Sequence, residues 1–139
     1  MGVGSLNCVQ CSAVLVDDAR YCHRCGRSTQ RLPQVERRWC TVLFADVRDF
    51  TTLSEGLDPE IVQNLMNTLF GRLSALVESH GGSVDKIIGD AIMALFGVPK
   101  ASGDDAERAV RCGLAIHSVC AEVAEELGLT LQMRVGINT

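Results

Sequence analysis

The sequence predicts an α+β protein in which a four-stranded antiparallel sheet with two long helices follows a small cysteine-rich module. Three patterns support this prediction. Short apolar or alternating runs indicate strands, two longer stretches carry apolar residues at helical spacing, and two C-x-x-C pairs stand near the start. With 139 residues, of which 47% are hydrophobic, the chain can form one ordinary domain and a small appendage.

The cysteine-rich module has the spacing of a zinc ribbon. Cys8 and Cys11 form one C-x-x-C pair, Cys22 and Cys25 form another, and ten residues separate the pairs. Two tight turns can supply four thiolates to one tetrahedral Zn²⁺, which would be structural because no coordination position stays open. Gly26 follows the second pair, where such a turn often needs a positive φ. The alternative of two unrelated redox pairs is disfavoured, because so small a segment needs a metal to fold.

Composition divides the chain into three parts. We predict the zinc ribbon over residues 1–27, a polar linker over residues 28–38 and the main domain over residues 39–139. Residues 1–38 hold six arginines against three acids, so seven basic and fourteen acidic residues remain, which gives the main domain a net charge of −7. A surface of that sign repels nucleic acid, which we do not expect as a partner, and attracts divalent cations.

No segment suggests a membrane or secreted protein. No apolar run reaches the roughly 20 residues of a membrane helix, and the first residues lack the pattern of a secretory signal. We therefore predict a cytoplasmic protein without membrane contact, in which a disulfide framework is not expected. Three single cysteines in apolar contexts are predicted as core residues: Cys40, Cys112 and Cys120.

The main domain is predicted to begin with a strand and helices. Residues 40–45 form a short β-rich run that ends at Asp46, and a short helix is expected around residues 50–55. Residues 58–60 read Asp-Pro-Glu, which is typical of a helix start, and the glycines at 81–82 should end that helix. Its apolar residues recur at a spacing of four: Ile61, Leu65, Leu69 and Leu73.

A hairpin is predicted next. Residues 83–88 and 91–96 are strand-like runs, and only Gly89 and Asp90 lie between them, which is the composition of a tight turn.

A second long helix and a last strand complete the domain. Asp104 and Asp105 can cap the helix, which should end near Gly128. Its predicted apolar positions are Ala109, Val110, Leu114, His117 and Cys120. The last strand is indicated by alternating apolar residues: Leu129, Leu131, Met133, Val135 and Ile137.

The order β-α-β-β-α-β predicts a ferredoxin-like sheet with both long helices on one face. There the first and third strands are antiparallel neighbours, so Asp46 at the end of one lies beside Asp90 at the start of the other. Two such carboxylates repel each other unless a cation lies between them. Mg²⁺ is a suitable cation, because it usually binds one or two protein carboxylates together with the phosphates of a substrate. The alternative is that Asp46 only caps the short helix and Asp90 only serves the turn.

Four segments of the main domain together resemble class III nucleotide cyclases. They occur in order and at the family spacing over residues 36–139, and a preceding zinc ribbon is similar to the arrangement in bacterial multidomain members. The segments are ERRWCTVLFADVRDFT (36–51), HGGSVDKIIGDAIMALFG (80–97), DDAERAV (104–110) and RVGINT (134–139).

The resemblance implies a two-metal reaction that converts ATP to cyclic AMP and pyrophosphate. Asp46 and Asp90 match the catalytic aspartates, which bind two Mg²⁺ or Mn²⁺ ions. The backbone carbonyl of Val47 matches a further metal ligand. Lys86 matches the lysine that recognises adenine, whereas guanylate cyclases typically carry an acid there, so ATP is expected rather than GTP. The alternative for Lys86 is an ordinary solvated strand lysine.

Further substrate contacts are expected after the first strand. Val47, Phe50 and Thr51 lie where backbone amides near a helix start can bind phosphate oxygens. Asp49 departs from the family pattern, which usually has glycine there, and its carboxylate would weaken triphosphate binding unless it turns outward. Three residues are predicted as core rather than as nucleotide contacts: Phe44, Met93 and Phe96.

The resemblance also implies that the site forms between two subunits, in a homodimer or with a partner cyclase subunit. Family members continue past the motif at residues 134–139 and supply there an asparagine and an arginine that stabilise the transition state. We therefore expect the 139-residue chain to be inactive or weakly active alone. Two alternatives come from other classes: a catalytically silent module for protein interaction or regulation, and a zinc-ribbon nucleic-acid binder.

Overall fold

The computed structural model describes residues 7–16, 19–29 and 37–139. The chain forms two compact units, one up to Arg37 and the other from Arg38. Most of the predicted linker and parts of the predicted ribbon lie outside the described residues. The boundaries of the three predicted parts therefore stay predictions.

The larger unit is an antiparallel sheet with two long helices and one short helix. Its strands are β1 (Thr41–Val47), β2 (Ser83–Ile88), β3 (Ala91–Phe96) and β4 (Met133–Asn138). Its helices are α1 (Phe50–Glu55), α2 (Pro59–Ser79) and α3 (Asp105–Leu127). The strand order β2-β3-β1-β4 confirms the predicted α+β, ferredoxin-like fold class. Within the described residues, no helix combines the length and apolarity needed to cross a membrane.

One face of the sheet forms the core with α2 and α3. Alternate residues of β1 are buried, at positions 41, 43, 45 and 47, as the period of a half-buried strand requires. The buried residues of α2 are Leu65, Leu69, Phe70, Leu73 and Val77. Those of α3 are Asp105, Ala109, Cys112, Gly113, Ile116, Cys120, Val123 and Ala124. The opposite side of the sheet, which we call the open face, carries the side chains at positions 42, 44 and 46 of β1.

Two of the predicted core residues lie on the open face instead. Phe44 is 40% exposed, and Met93, its cross-strand partner, is half-buried. The prediction that these two residues belong to the core is wrong, because their strands turn alternate residues away from the helices. Phe96 is buried as predicted.

The buried face of α3 also differs from the predicted one. Val110, Leu114 and His117 are exposed. The helix instead buries Ile116 and Val123 together with small residues. A Cβ added at Gly113 would lie 3.1 Å from Cδ1 of Ile137. Because the sheet approaches α3 so closely at Gly113, the face that carries this glycine is the packed one. A count of large apolar residues does not identify that face.

The strand ends differ by a few residues from the predicted ends. β1 continues through Val47, because the N–H of Val47 still donates to the carbonyl of Asp90 across the β1–β3 pair. β4 begins only at Met133, so Leu129 and Leu131 precede the strand even though they continue its alternation. Of the single cysteines, Cys112 and Cys120 are buried as predicted, and Cys40 is half-buried.

Arg108 joins the end of α2 to the start of α3. Its guanidinium donates to the carbonyl of His80 at 3.0 Å and to the carboxylates of Asp104 and Asp105. Asp105 is buried and accepts the N–H of Ser102 at 2.9 Å, which lowers the pKa of Asp105. Asp104 occupies the N-cap position, but its side chain makes no capping bond, since it accepts from Arg108 and Ser102 instead.

Arg108→Met should lower the free energy of unfolding of the sheet unit by about 2 kcal/mol, because a buried carboxylate loses its charged donor. Arg111→Met is the matched control, since Arg111 lies on the same helix and pairs with exposed Glu107, where an ion pair contributes at most about 1 kcal/mol. Urea unfolding followed by far-ultraviolet circular dichroism measures both. Equal losses in the two variants would contradict the role given to Arg108.

Candidate active site and cysteine cluster

The pairing of β1 with β3 brings the two predicted metal-binding aspartates to one end of the sheet. Asp46 is the cross-strand partner of Ala91, and the N–H of Val47 donates to the carbonyl of Asp90 at 3.1 Å. Asp46 and Asp90, 44 positions apart in sequence, therefore lie at the same end of two neighbouring strands. Both residues are half-buried. The side chain of Val47 is buried in the core and carries no ligand atom, so Val47 can contribute only its backbone carbonyl.

Arg134 of β4 is a further residue of this site. It is the cross-strand partner of Asp46, and its Nε and Nη2 atoms donate to Oδ1 and Oδ2 of Asp46 at 2.9 and 3.4 Å. The pKa of Arg134 is raised, first by this hydrogen bond and by the charge of Asp46, and to a smaller extent by Asp49 and Asp90. One guanidinium therefore lies in the field of three carboxylates. The sequence includes Arg134 only as the first residue of the RVGINT segment, and the β1–β4 register shows that it lies opposite Asp46.

The connection from β1 to α1 has an unusual backbone. Asp49 precedes α1 with a φ of 53°, the left-handed region that favours glycine and that aspartate tolerates better than most residues. Glycine, which the resemblance leads one to expect at this position, adopts this conformation without strain. The Asp49 carboxylate is 79% exposed and lies 3.5 Å from Nε of Arg48.

The two predicted substrate contacts in α1 lie at its first turn. Phe50 is half-buried and Thr51 is exposed. Phe50 lines an open pocket of about 460 Å³, together with Gly89 of the β2–β3 turn and with α2 residues such as Val62 and Met66. The pocket therefore borders the turn that carries Asp90.

Lys86 lies on the open face, but not beside the aspartates. Its cross-strand partner is Met93, which in turn pairs with Phe44 of β1. From the distance between neighbouring strands and the rise along a strand, the Cα atom of Lys86 lies roughly 12 Å from the Cα atom of Asp46. The Lys86 ammonium is 3.4 Å from Asp85, and its side chain is 54% exposed.

The N-terminal unit brings its four paired cysteines together. The Sγ atoms of Cys8, Cys11, Cys22 and Cys25 all lie within 4.8 Å of one another. Two of these distances are 3.5 Å, between Cys8 and Cys25, and 3.6 Å, between Cys11 and Cys22. Four sulfurs that share one tetrahedral zinc would be about 3.8 Å apart. The cluster could therefore hold a metal ion.

The two C-x-x-C turns have matching geometry. The N–H of Gln10 points at Sγ of Cys8, and the N–H of Arg24 points at Sγ of Cys22, each at 3.4 Å. Gly26 has a φ of 72°, as the sequence predicts for the residue after the second pair. Both turns thus direct backbone N–H groups at a sulfur.

These surroundings separate the acidities of the thiols. The N–H groups of Cys11 and Gln10 lower the pKa of Cys8 to about 6. At Cys25 the N–H of Arg27 acts in the same direction, but burial and the three other sulfurs raise the pKa to about 11. The last of the four thiols is therefore hard to deprotonate beside the others unless a cation balances their charge, as expected of thiolates that share a metal.

Comparison with known proteins identifies the family of the larger unit. Residues 33–139 match the family described as "Adenylate and Guanylate cyclase catalytic domain", and the chain belongs to this family. "Adenylate cyclase 1" of Rhizobium meliloti (strain 1021) is 39% identical over 81 residues, which are 58% of this chain and 12% of that protein.

Solved cyclase structures share the fold. The guanylyl cyclase Cya2 is 43% identical, with a TM-score of 0.71 over 74% of this chain and 54% of that one. The adenylyl cyclase CyaB from P. aeruginosa is 35% identical, with a TM-score of 0.68 over 71% of this chain and 54% of that one. The chain therefore spans about half the length of these structures, and both nucleotide specificities occur among its relatives.

Proposed function

We propose that this chain carries the metal-binding half of an adenylate cyclase site, which converts ATP to cyclic AMP and pyrophosphate. One observation carries the proposal: the β1–β3 register sets Asp46 and Asp90 at one end of adjacent strands in a chain of the cyclase family. Two Mg²⁺ or Mn²⁺ ions would be held there by the two carboxylates and the backbone carbonyl of Val47. Such a set of oxygen ligands, with positions left for phosphates and water, fits these ions.

In this proposal the residues of the chain position the substrate. Bound cations would promote attack of the ribose 3'-hydroxyl on the α-phosphorus and neutralise the departing pyrophosphate. The pairing of β1 with β3 fixes the backbones of Asp46 and Asp90 at one end of the sheet. Phe50 and Thr51, at the first turn of α1, would contact the substrate next to them.

ATP is the proposed substrate because Lys86 supplies a cation where an acid would be expected for guanine. GTP is the second candidate, and the 43% identity to the guanylyl cyclase Cya2 favours it. Lys86 lies on the open face, two strands from Asp46, and that separation supports a role for Lys86 in the site of a second subunit. We therefore propose a homodimer, or a pair with another cyclase subunit, with little turnover by the 139 residues alone.

Asp46→Asn and Asp90→Asn should each weaken Mn²⁺-dependent binding of a non-cyclising ATP analogue roughly tenfold or more, because an amide cannot balance a divalent charge. Glu125→Gln removes one charge from the exposed side of α3 and should change nothing. Isothermal titration calorimetry with and without Mn²⁺ gives the affinities. If the affinity for the analogue were the same without Mn²⁺ and in Asp46→Asn, the alternative of a catalytically silent interaction module would be favoured.

Lys86→Glu should shift the ratio of ATP to GTP affinity towards GTP by about tenfold, because the ammonium is replaced by an acceptor for guanine N–H groups. Lys100→Glu, at an exposed position, is the charge-matched control. Competition of the two nucleotides in the presence of Mn²⁺ measures the ratio. If both variants gave the same ratio of ATP to GTP affinity, Lys86 would be an ordinary solvated lysine.

We also propose that the four-cysteine cluster holds one structural Zn²⁺. The sulfur separations and the backbone N–H groups directed at Cys8 and Cys22 support this assignment. A closed set of four thiolates leaves no position for a catalytic water, so the ion would stabilise the N-terminal unit rather than take part in cyclisation.

The purified chain should therefore contain about one equivalent of zinc, as expected for a single four-thiolate site. Cys22→Ser should lose the zinc, whereas Cys40→Ser, at a half-buried position before β1, should keep it. Elemental analysis gives the metal content, and urea unfolding of the sheet unit should be the same in both variants. Zinc retained by Cys22→Ser, or iron in its place, would refute the assignment.

A further inference from the structure

We infer that Arg134 is an internal counter-ion that competes with divalent cations for the Asp46 carboxylate. Arg134 thereby positions this carboxylate and weakens cation binding by the free site. The inference rests on the proposed function, because it requires a cation site at Asp46 and Asp90. It assigns to Arg134 the role of a positioning residue.

The geometry of the pair places the two kinds of cation in competition. Arg134 occupies both oxygens of Asp46, through Nε at 2.9 Å and Nη2 at 3.4 Å. A divalent ion bound at about 2.1 Å from either oxygen would lie within a few ångströms of the guanidinium. Like charges at that distance repel, and the 29% exposure of the Asp46 side chain leaves less water than at a free surface to screen them.

The fold directs Arg134 to the face of the sheet that carries Asp46. Met133 and Val135, its neighbours in β4, turn towards α3 and the core, so Arg134 must point to the open face. There it lies directly opposite Asp46, where opposite charges across a strand pair attract. The side chain of Arg134 is 68% exposed, so it can move away without disturbing the core.

The other charged groups near the pair strengthen the competition. Asp49 and Asp90 also act on the Arg134 guanidinium, so its loss would leave three carboxylates less compensated. Arg48 is a further cation of this region, but it lies beside Asp49 and Gln132 at the corner between β1 and α1. Removal of Arg134 should therefore increase the attraction of the site for a divalent ion.

Binding of Mn²⁺ to the full chain without nucleotide tests the inference. Electron paramagnetic resonance counts free Mn²⁺, with the cysteine cluster saturated with Zn²⁺ beforehand. Arg134→Gln should bind Mn²⁺ roughly threefold to tenfold more tightly than the wild type, because both the ion pair and the repulsion are lost. Arg111→Gln makes the same charge change on the exposed side of α3 and should match the wild type.

Arg134→Lys separates the effect of the bidentate guanidinium from the effect of the positive charge. It keeps the positive charge but loses the two parallel donors, so its Mn²⁺ affinity should fall between those of the wild type and Arg134→Gln. This variant also keeps the test decisive if Arg134→Gln does not fold, which circular dichroism would detect.

The outcomes distinguish this inference from the function on which it rests. If Asp46→Asn abolishes Mn²⁺ binding but Arg134→Gln binds no more tightly than Arg111→Gln, the inference is overturned and the cation site stands. If neither the wild type nor Arg134→Gln binds Mn²⁺ in a manner that depends on Asp46, the cation site itself fails, and the inference fails with it.

Discussion

The antiparallel register of β1 and β3 is the constraint on which the candidate site depends. Leu43 and Ala45 are buried against the helices, and a slip of one residue would turn them to the open face and Asp46 into the core. Burial of a carboxylate without a partner is costly, so the hydrophobic core strongly specifies the observed register. The acids are thus held at one end of the sheet by the folding of the whole domain, whether or not a metal is bound.

The two units hold their candidate ligands in different ways. In the sheet unit, a preformed core supports Asp46 and Asp90, and Arg134 balances part of their charge. The N-terminal unit is too small for such a core, and its cysteines converge around a space that suits one metal ion. If both proposed sites bind metal, metal loss would affect the folding of the N-terminal unit and the function of the sheet unit.

Much of the fold follows from local sequence patterns. Gly89 and Asp90 form the turn between β2 and β3 as predicted, and Asp58 caps α2 by accepting the N–H of Glu60 at 2.9 Å. The approach of Asp46 to Asp90 follows from topology alone, because the order of elements fixes which strand ends are neighbours. Arg134 could not be found in this way, since its partner depends on the β1–β4 register, which no single strand reveals. The exposure of Val110 and Leu114 on α3 was missed for a related reason. The packed face of this helix combines Ile116 and Val123 with small residues such as Gly113, and the close approach at Gly113 depends on β4.

The central claim is that Asp46 and Asp90 bind the same divalent ions. The most direct measurement is anomalous diffraction from crystals of the full chain grown with Mn²⁺ and an ATP analogue. The account predicts manganese about 2.1 Å from a carboxylate oxygen of each residue. Manganese bound elsewhere, with Asp46 still paired to Arg134, would contradict it.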